Sequence, residues 1–568
     1  MLFGIRYLYW RWFHSLNTDA LWFSLPLVIA ESLSFIGSGL MIVNFWSNKD
    51  AAKTPPVYML SEIEDLQGRQ DRPVEIDVFI ATYDEDVELV RKSIRDAKRM
   101  TYPHSQNTIR IFVLDDGDRD GRSTDKENMK QVAVEEGVEY MTRAQHFGYK
   151  AGNLKHALEL THGDLFVILD ADTRPFPGFL EHTTGYFRNK KMAWVQTPQW
   201  FFDTTAPEPL DDVLVAKLTI RNKTLKRILH SILGKVTVNE DIFGNDPRLF
   251  YDVILRKRNL YNAAFCCGAG SIHRREALMS LAVKDFAAII SQSDKDKKTE
   301  AEKRSALLKQ ELIPFKFHAS EDIYTSLLLH ADKENRWESL QHPDIECKML
   351  STQDLNSWVK QHRRYAEGTL DIAFHDNPLF MRGLSWGQRL CYVNTIWSYF
   401  APFWILIFLL SPIVSFFTFE LPVKGYDFEF MKYFFAFQAM NTMAFALGCW
   451  GISTKRGDQY YISGFWFMLT SLSSILLGKK VKFEVTDKNA GASAFRKNLK
   501  HIAPHLIIIT ASLLGIAYNL FIWLFGYHPT PSGFVSNAFW TVFNLINLSI
   551  MIRAAAWNKN NPLNTKEL

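Results

Sequence analysis

FVILDADTRP, Phe166 to Pro175, is the stretch on which the reading of this chain turns. Strand-forming apolar residues run up to Asp170, and a second carboxylate, Asp172, follows one residue later. Alternation along an extended backbone turns both to the same side, just past the end of a buried strand. Two carboxylates so placed can hold one hard divalent cation, Mg2+ or Mn2+, with coordination positions left for a substrate diphosphate. A D-x-D tripeptide is common by chance and equally suits a solvated loop. Its surroundings have to decide between the two.

From Val74 onward, short apolar runs alternate with helix-prone segments, the pattern of a mostly parallel sheet with helices on its faces. IDVFIATYDED (Ile76 to Asp86) reads as a strand and a polar turn, and IRIFVLDDGD (Ile109 to Asp118) as a second strand ending in Asp115 and Asp116. Both would bring side chains to the carboxyl edge of the sheet, where open α/β folds bind ligands. HFGYKAGNLKHAL (His146 to Leu158) opens a helix with Lys150 beside a flexible Gly152, which suits phosphate, although an isolated lysine is more often a surface residue. Beyond the D-x-D come VQTPQWFF (Val195 to Phe202) and FCCGAGSIHRREAL (Phe265 to Leu278), where Gly268, Ala269 and Gly270 permit close approach of a sugar or backbone. The charged stretch Lys284 to Lys309 reads as a solvated helix or insertion. In HASEDIYTSLLLH, Glu321 and Asp322 open an amphipathic helix after Ser320, a position where acids are also ordinary dipole partners. In QHRRYAEGTL, Gln361, Arg364 and Tyr365 recur at helical spacing and can share one face.

The chain has 568 residues, 47% hydrophobic and 14% aromatic, with the apolar stretches concentrated at its two ends. A net charge of +4 gives no argument for nucleic acid as a partner. The five cysteines lack zinc-ligand spacing, so neither a disulfide framework nor a metal ribbon is expected, and the compartment is expected to be reducing. RYLYWRWF (Arg6 to Phe13) is too short to cross a bilayer and reads as an interfacial anchor, whereas Leu21 to Trp46 would extend about 39 Å as a helix, enough to span. Glu31 inside that span serves either helix packing or function.

Taken in order, ATYDED, LDDG, YKAGN, LDADTRP, QTPQWF, FCCGAGSIHRR, SED and QHRRYAEG resemble the motifs of the processive family 2 glycosyltransferases, and among them the bacterial cellulose synthase catalytic subunits. The likeness continues through RYLYWRWF, through RGLSWGQRLCYVN (Arg382 to Asn394), and through FEVTDK (Phe483 to Lys488), which fits that family's gating loop. It implies an α/β nucleotide-binding domain of the GT-A type inserted between transmembrane helices.

The expected layout begins with an interfacial helix and first span over 1–50 and the cytoplasmic transferase domain over 51–380. An interfacial helix over 381–400, two spans over 400–450 and a cytoplasmic interfacial helix with the gating loop over 451–501 follow. Two spans over 502–553 and a cytoplasmic tail over 554–568 complete it. The spans proper fall at about Phe400 to Phe419, Phe430 to Trp450, Ile502 to Phe525 and Phe534 to Ile552. Lys455, Arg456, Lys479, Lys480, Lys482, Lys488, Arg496, Lys497 and Lys500 make the segment between the second and third of these basic, hence cytoplasmic, with the N-terminus outside. Tyr461 to Leu477 then has to be interfacial, because a further span would carry FEVTDK to the opposite face.

The resemblance implies an inverting transfer from a UDP-sugar, UDP-glucose in the first instance, to a growing β-glucan of 1,4, 1,3 or mixed linkage, in a bacterial inner membrane. Asp322 would be the base with Glu321 beside it, and Asp170 and Asp172 the metal ligands. Thr82, Tyr83, Asp115, Asp116 and Lys150 would contact the nucleotide, and Gln361 and Arg364 the diphosphate. Tyr365 would lie beneath the acceptor sugar, while Phe483, Val485 and Thr486 would close the site. Partner subunits in the envelope are compatible with it. Other products compatible with the motifs are a second β-linked polymer, such as one of N-acetylglucosamine, or a non-processive transfer to lipid. Two departures stand out: Tyr365 replaces the family's Trp, which alters the stacking surface, and Ser320 replaces the Thr before Glu-Asp. The sequence stops at Leu568 without the cyclic-dinucleotide-binding barrel of the bacterial enzymes, so regulation through it in cis is not expected.

Overall fold

Three apolar segments pair in parallel at the centre of the computed structural model: β1 (Ile76–Thr82) lies between β2 (Ile109–Asp115) and β4 (Leu165–Asp170). Alternate residues serve opposite faces, so Val78 and Ile80 pack with Val113, Val167 and Leu169, while Phe79 packs with Phe112 and Phe166. Helices cover both faces, which is why β1 is an almost unbroken buried run. With β3 (Glu139–Thr142), β6 (Met192–Gln196), β10 (Ser271–Arg274) and β11 (Glu338–Gln341), the seven-stranded sheet has the order β11-β6-β10-β4-β1-β2-β3. One strand breaks the parallel rule: β10 runs antiparallel to both β4 and β6. A small sheet flanks this edge, with β12 (Cys347–Met349) between β5 (Arg174–Pro175) and β7 (Gln199–Phe201). A two-residue pair, β8 (Glu208–Pro209) with β9 (Thr237–Val238), stands apart. The structure describes all residues except 46–49, 51, 84, 104–107, 118–122, 205–207, 234–236, 239–240, 245, 296–310, 353, 425–427, 480–494, 527–530 and 558–568.

Among the described residues, Leu21–Phe45, Asn498–Leu524 and Gly533–Ala556 are long and apolar enough to cross a membrane. The Trp386–Tyr399 and Pro402–Thr418 helices, joined at a 41° bend, would together make a fourth span. The Phe428–Gly448 helix forms as expected but is not among them, since Glu429, Lys432, Gln438 and Asn441 interrupt its apolar surface. Tyr461 to Leu477 is divided at Gly464 into the Lys455–Ser463 and Phe465–Leu476 helices, and the second, about 18 Å long, is too short to span.

RYLYWRWF, expected as an interfacial anchor, forms a helix that packs against the first span. The Leu2–Phe13 helix runs antiparallel along Leu21–Phe45, with a Cβ at Gly4 placed 2.1 Å from Phe35 and one at Gly39 placed 2.8 Å from Met1. Its Arg11 is fully buried and donates to Glu31 at 2.7 Å. Glu31 is therefore a helix-packing partner, and the pair leaves neither charge to face lipid.

The Leu355–His375 helix joins the sheet domain to the membrane helices. Trp358 stacks near Tyr460 at 4.5 Å and packs edge-on to Phe467, and Leu370 packs with Leu472 and Ile475. On its other side Gly368 meets Ser320, the residue before Glu321: a Cβ at Gly368 would lie 2.1 Å from Ser320 Oγ and 2.9 Å from its Cβ. Gly368→Ala is expected to destabilise the protein by about 1–3 kcal/mol through overpacking. Ser320→Gly in the same chain should recover most of that loss, read as the thermal midpoint of the purified protein. Equal losses in the single and double variants would show that this contact is not the cause.

Candidate active site

Strand register brings the expected site residues to one edge. Thr82, the last residue of β1, is opposite Asp115, the last of β2, and Ala81 is opposite Asp170, the last of β4. Asp172 lies in the turn beyond β4, where its Oδ2 accepts from the Leu350 N–H at 3.1 Å. The Lys150 ammonium, from the first turn of the Tyr149–Leu160 helix, is ion-paired with Asp170. A cation thus already sits on one of the two carboxylates proposed to hold a metal, and an oxygen-only pair of this kind fits Mg2+ or Mn2+.

Glu321 and Asp322 open the Glu321–His330 helix, and with Lys150 and Gly268 they line one cavity. Burial, followed by repulsion from Asp322, pushes Glu321 up to about 7. Burial likewise raises Asp322, against the Ile323 N–H that donates to its Oδ1 at 2.8 Å and the charges of Lys150 and Arg364. Gly268 has φ +83°, and a Cβ there would be 3.6 Å from Lys150 Nζ and 3.7 Å from Asp322 Oδ2. A side chain at that position would fill the gap between the cation and the acid. Arg364 and Tyr365 come to the same region on the Leu355–His375 helix, the guanidinium 5.6 Å from the Tyr365 ring, which is 39% exposed. Gln361 lies one turn before them, partly buried.

Other expected contacts have structural partners of their own. Asp115 is fully buried, accepting from Gly117 N–H at 2.8 Å and from the Tyr140 hydroxyl at 2.9 Å. Asp116 is held by both arms of Arg143, at 2.7 and 2.6 Å. Thr82 Oγ1 and the Tyr83 N–H both donate to Glu85. Gly152 is not a flexible hinge: it is buried inside the Tyr149–Leu160 helix, and a Cβ there would lie 2.0 Å from the Phe147 carbonyl oxygen. Phe483, Val485 and Thr486 lie outside the described residues.

Sequence reasoning missed Arg143 and the two glutamines of QTPQWF. Gln196 donates to Ala269 O and accepts from Cys267 N–H, while Gln199 donates to Cys267 O and Ala269 O. These amides fix the backbone of the Cys267–Gly270 turn, and hence the gap at Gly268. The clue available was a pair of amides beside a strand next to a small-residue turn.

Residues 77–281 match the family described as Glycosyl transferase family 2. The chain is 26% identical over 565 residues to a UDP-forming cellulose synthase catalytic subunit of Pseudomonas fluorescens, covering 97% of this chain and 65% of that one. It is 25% identical over 556 residues to cellulose synthase 2 of Novacetimonas hansenii, covering 96% and 30%. A mannosyltransferase from Pyrobaculum calidifontis, solved in complex with GDP-Man and Mn2+, aligns at 14% identity and a TM-score of 0.48 over 80% of this chain and 100% of that one. The chain thus spans less than two thirds of the length of the cellulose synthases it matches. Residues 77–281 thus resemble family 2 glycosyltransferases, and along most of its length the chain is similar to cellulose synthase catalytic subunits.

Proposed function

We propose that the chain polymerises glucose from UDP-glucose into a β-glucan with inversion at the anomeric carbon, and passes the product across the membrane beside which it is made. The observation that carries this reading is the meeting of Glu321, Asp322, Lys150 and Asp170 at one sheet edge, facing a helix that also packs on Phe465–Leu476.

In this reading Asp322 takes the proton of the acceptor hydroxyl as its oxygen bonds to the anomeric carbon, and the bond from that carbon to the UDP oxygen breaks. The electron pair leaves on the diphosphate, so no acid is needed at the leaving group, unlike in glycoside hydrolysis. Asp170 and Asp172 would hold Mg2+ or Mn2+, which when bound supplies positive charge to the departing diphosphate. Lys150 and Arg364 add fixed positive charge nearby, and Gln361 a hydrogen-bonding amide. Thr82, Tyr83, Asp115 and Asp116 form the edge against which the nucleotide would rest. Tyr365, exposed and backed by Arg364, offers its ring to the terminal acceptor sugar.

The transferase domain would be cytoplasmic and the N-terminus outside. The two ends of Leu21–Phe45 support this. Asn17 and Ser24, at its start, donate to the carbonyls of Leu421 and Pro422, between membrane helices, whereas Asn44, at its end, donates to Ile254 O in the transferase half.

Asp322→Asn keeps the shape but removes the proton acceptor. Polymer formation should fall about 10²- to 10⁴-fold while UDP binding persists. Full activity in that variant would overturn the assignment.

The pH dependence follows from the raised acids. Glu321 loses its proton only as pH climbs through about 7 and Asp322 is raised as well, so kcat/KM should rise along an acid limb above the ordinary carboxylate range. Glu321→Gln removes the repelling neighbour and should move that limb to lower pH. An unmoved limb would separate Glu321 from the base. For folding the sign is opposite. The folded protein binds the Glu321 proton more tightly than the unfolded chain, so its contribution is fully present below the ordinary value of 4.5 and lost as pH rises through about 7.

A further inference from the structure

Away from the sheet edge, His342, Asp344 and Glu346 alternate along the short connection between β11 and β12, and their ligand atoms lie within 4.8 Å of one another. His342 is fully buried, and its Nε2 has no hydrogen-bond partner among the described residues. That nitrogen lies 3.5 Å from Glu346 Oε1 and 3.8 Å from Asp344 Oδ2, too far for hydrogen bonds. Two ligands about 2.1 Å from a tetrahedral ion stand about 3.4 Å apart, so these separations suit an ion at the centre.

The surroundings are those of a ligand set. His342 Nδ1 meets the Tyr186 hydroxyl at 3.2 Å, and an N–H on that side leaves the Nε2 lone pair directed at the carboxylates. His182 Nδ1 bonds Glu346 Oε1 at 2.7 Å, orienting a carboxylate that is itself almost fully buried. Asp344, half exposed, is ion-paired with the exposed Lys53, leaving a solvent-facing side from which an ion can enter.

We propose that His342, Asp344 and Glu346 form a second divalent-metal site, distinct from Asp170 and Asp172, that takes a borderline transition ion, Zn2+ foremost. One imidazole with two carboxylates is a nitrogen and oxygen set that Zn2+ accepts, whereas Mg2+ favours oxygen ligands and retained water. The ion would tie the β11–β12 connection to the segment carrying His182 and Tyr186. That connection continues into Leu350, whose N–H holds Asp172, so the site would stiffen the backing of the active-site acid.

The test uses the full chain carrying Asp170→Asn and Asp172→Asn, which removes the competing carboxylates. After loading with Zn2+ and passage over a chelating resin, this protein should retain about one ion per chain by elemental analysis. Loading with Co2+ instead should give visible absorption bands of a tetrahedral nitrogen and oxygen site. Asp344→Asn, a change at a half-exposed position that leaves folding intact, should abolish both signals, as should His342→Ala. His182→Ala should weaken retention about 10- to 100-fold. Absence of retained Zn2+ in the parent, or retention unchanged by Asp344→Asn, would overturn the proposal.

Discussion

Three carboxylates, Asp170, Glu321 and Asp322, gather around Lys150, with Arg364 within electrostatic reach of the last two. Enclosing adjacent acids disfavours their charged forms, so an electrostatic account must name what offsets it. Lys150 pairs with Asp170 and lies within electrostatic reach of Glu321 and Asp322. Backbone N–H groups of Ile323 and Leu350 donate to Asp322 and Asp172.

Close backbone approach is the second requirement, and it falls on a few glycines. Gly268 leaves the space between Lys150 and Asp322 empty, and Gly368 lets the Arg364 helix settle on Ser320. Each would be filled by a single Cβ. The helix so seated continues its contacts into Tyr460, Phe467, Leu472 and Ile475, on two short helices beside the candidate spans.

Strand ends were legible in the sequence because apolar runs terminate in acids: Thr82, Asp115 and Asp170 arrive at one edge as the alternation implies. The helices opening at Lys150 and Glu321 were legible for the same reason, a change of period at a polar residue. Pairings between distant segments were not. Nothing local announces that Arg143 will clasp Asp116, that Ser271–Arg274 will insert antiparallel, or that Leu2–Phe13 will fold back along the first span with Arg11 on Glu31. Gly152 misled because glycine suggests freedom, whereas here it relieves contact with the Phe147 carbonyl. His342, Asp344 and Glu346 were invisible as a set until the fold between β11 and β12 brought their ligand atoms within 4.8 Å of one another.

Transfer of glucose from UDP-glucose into a polymer is the activity proposed for this chain. Purified protein, given radiolabelled UDP-glucose with Mg2+ or Mn2+, should produce insoluble labelled material whose linkage analysis shows β-linked glucose, and a chelator should stop its formation. Polymer made only from a different UDP-sugar, or label delivered singly to lipid, would contradict it.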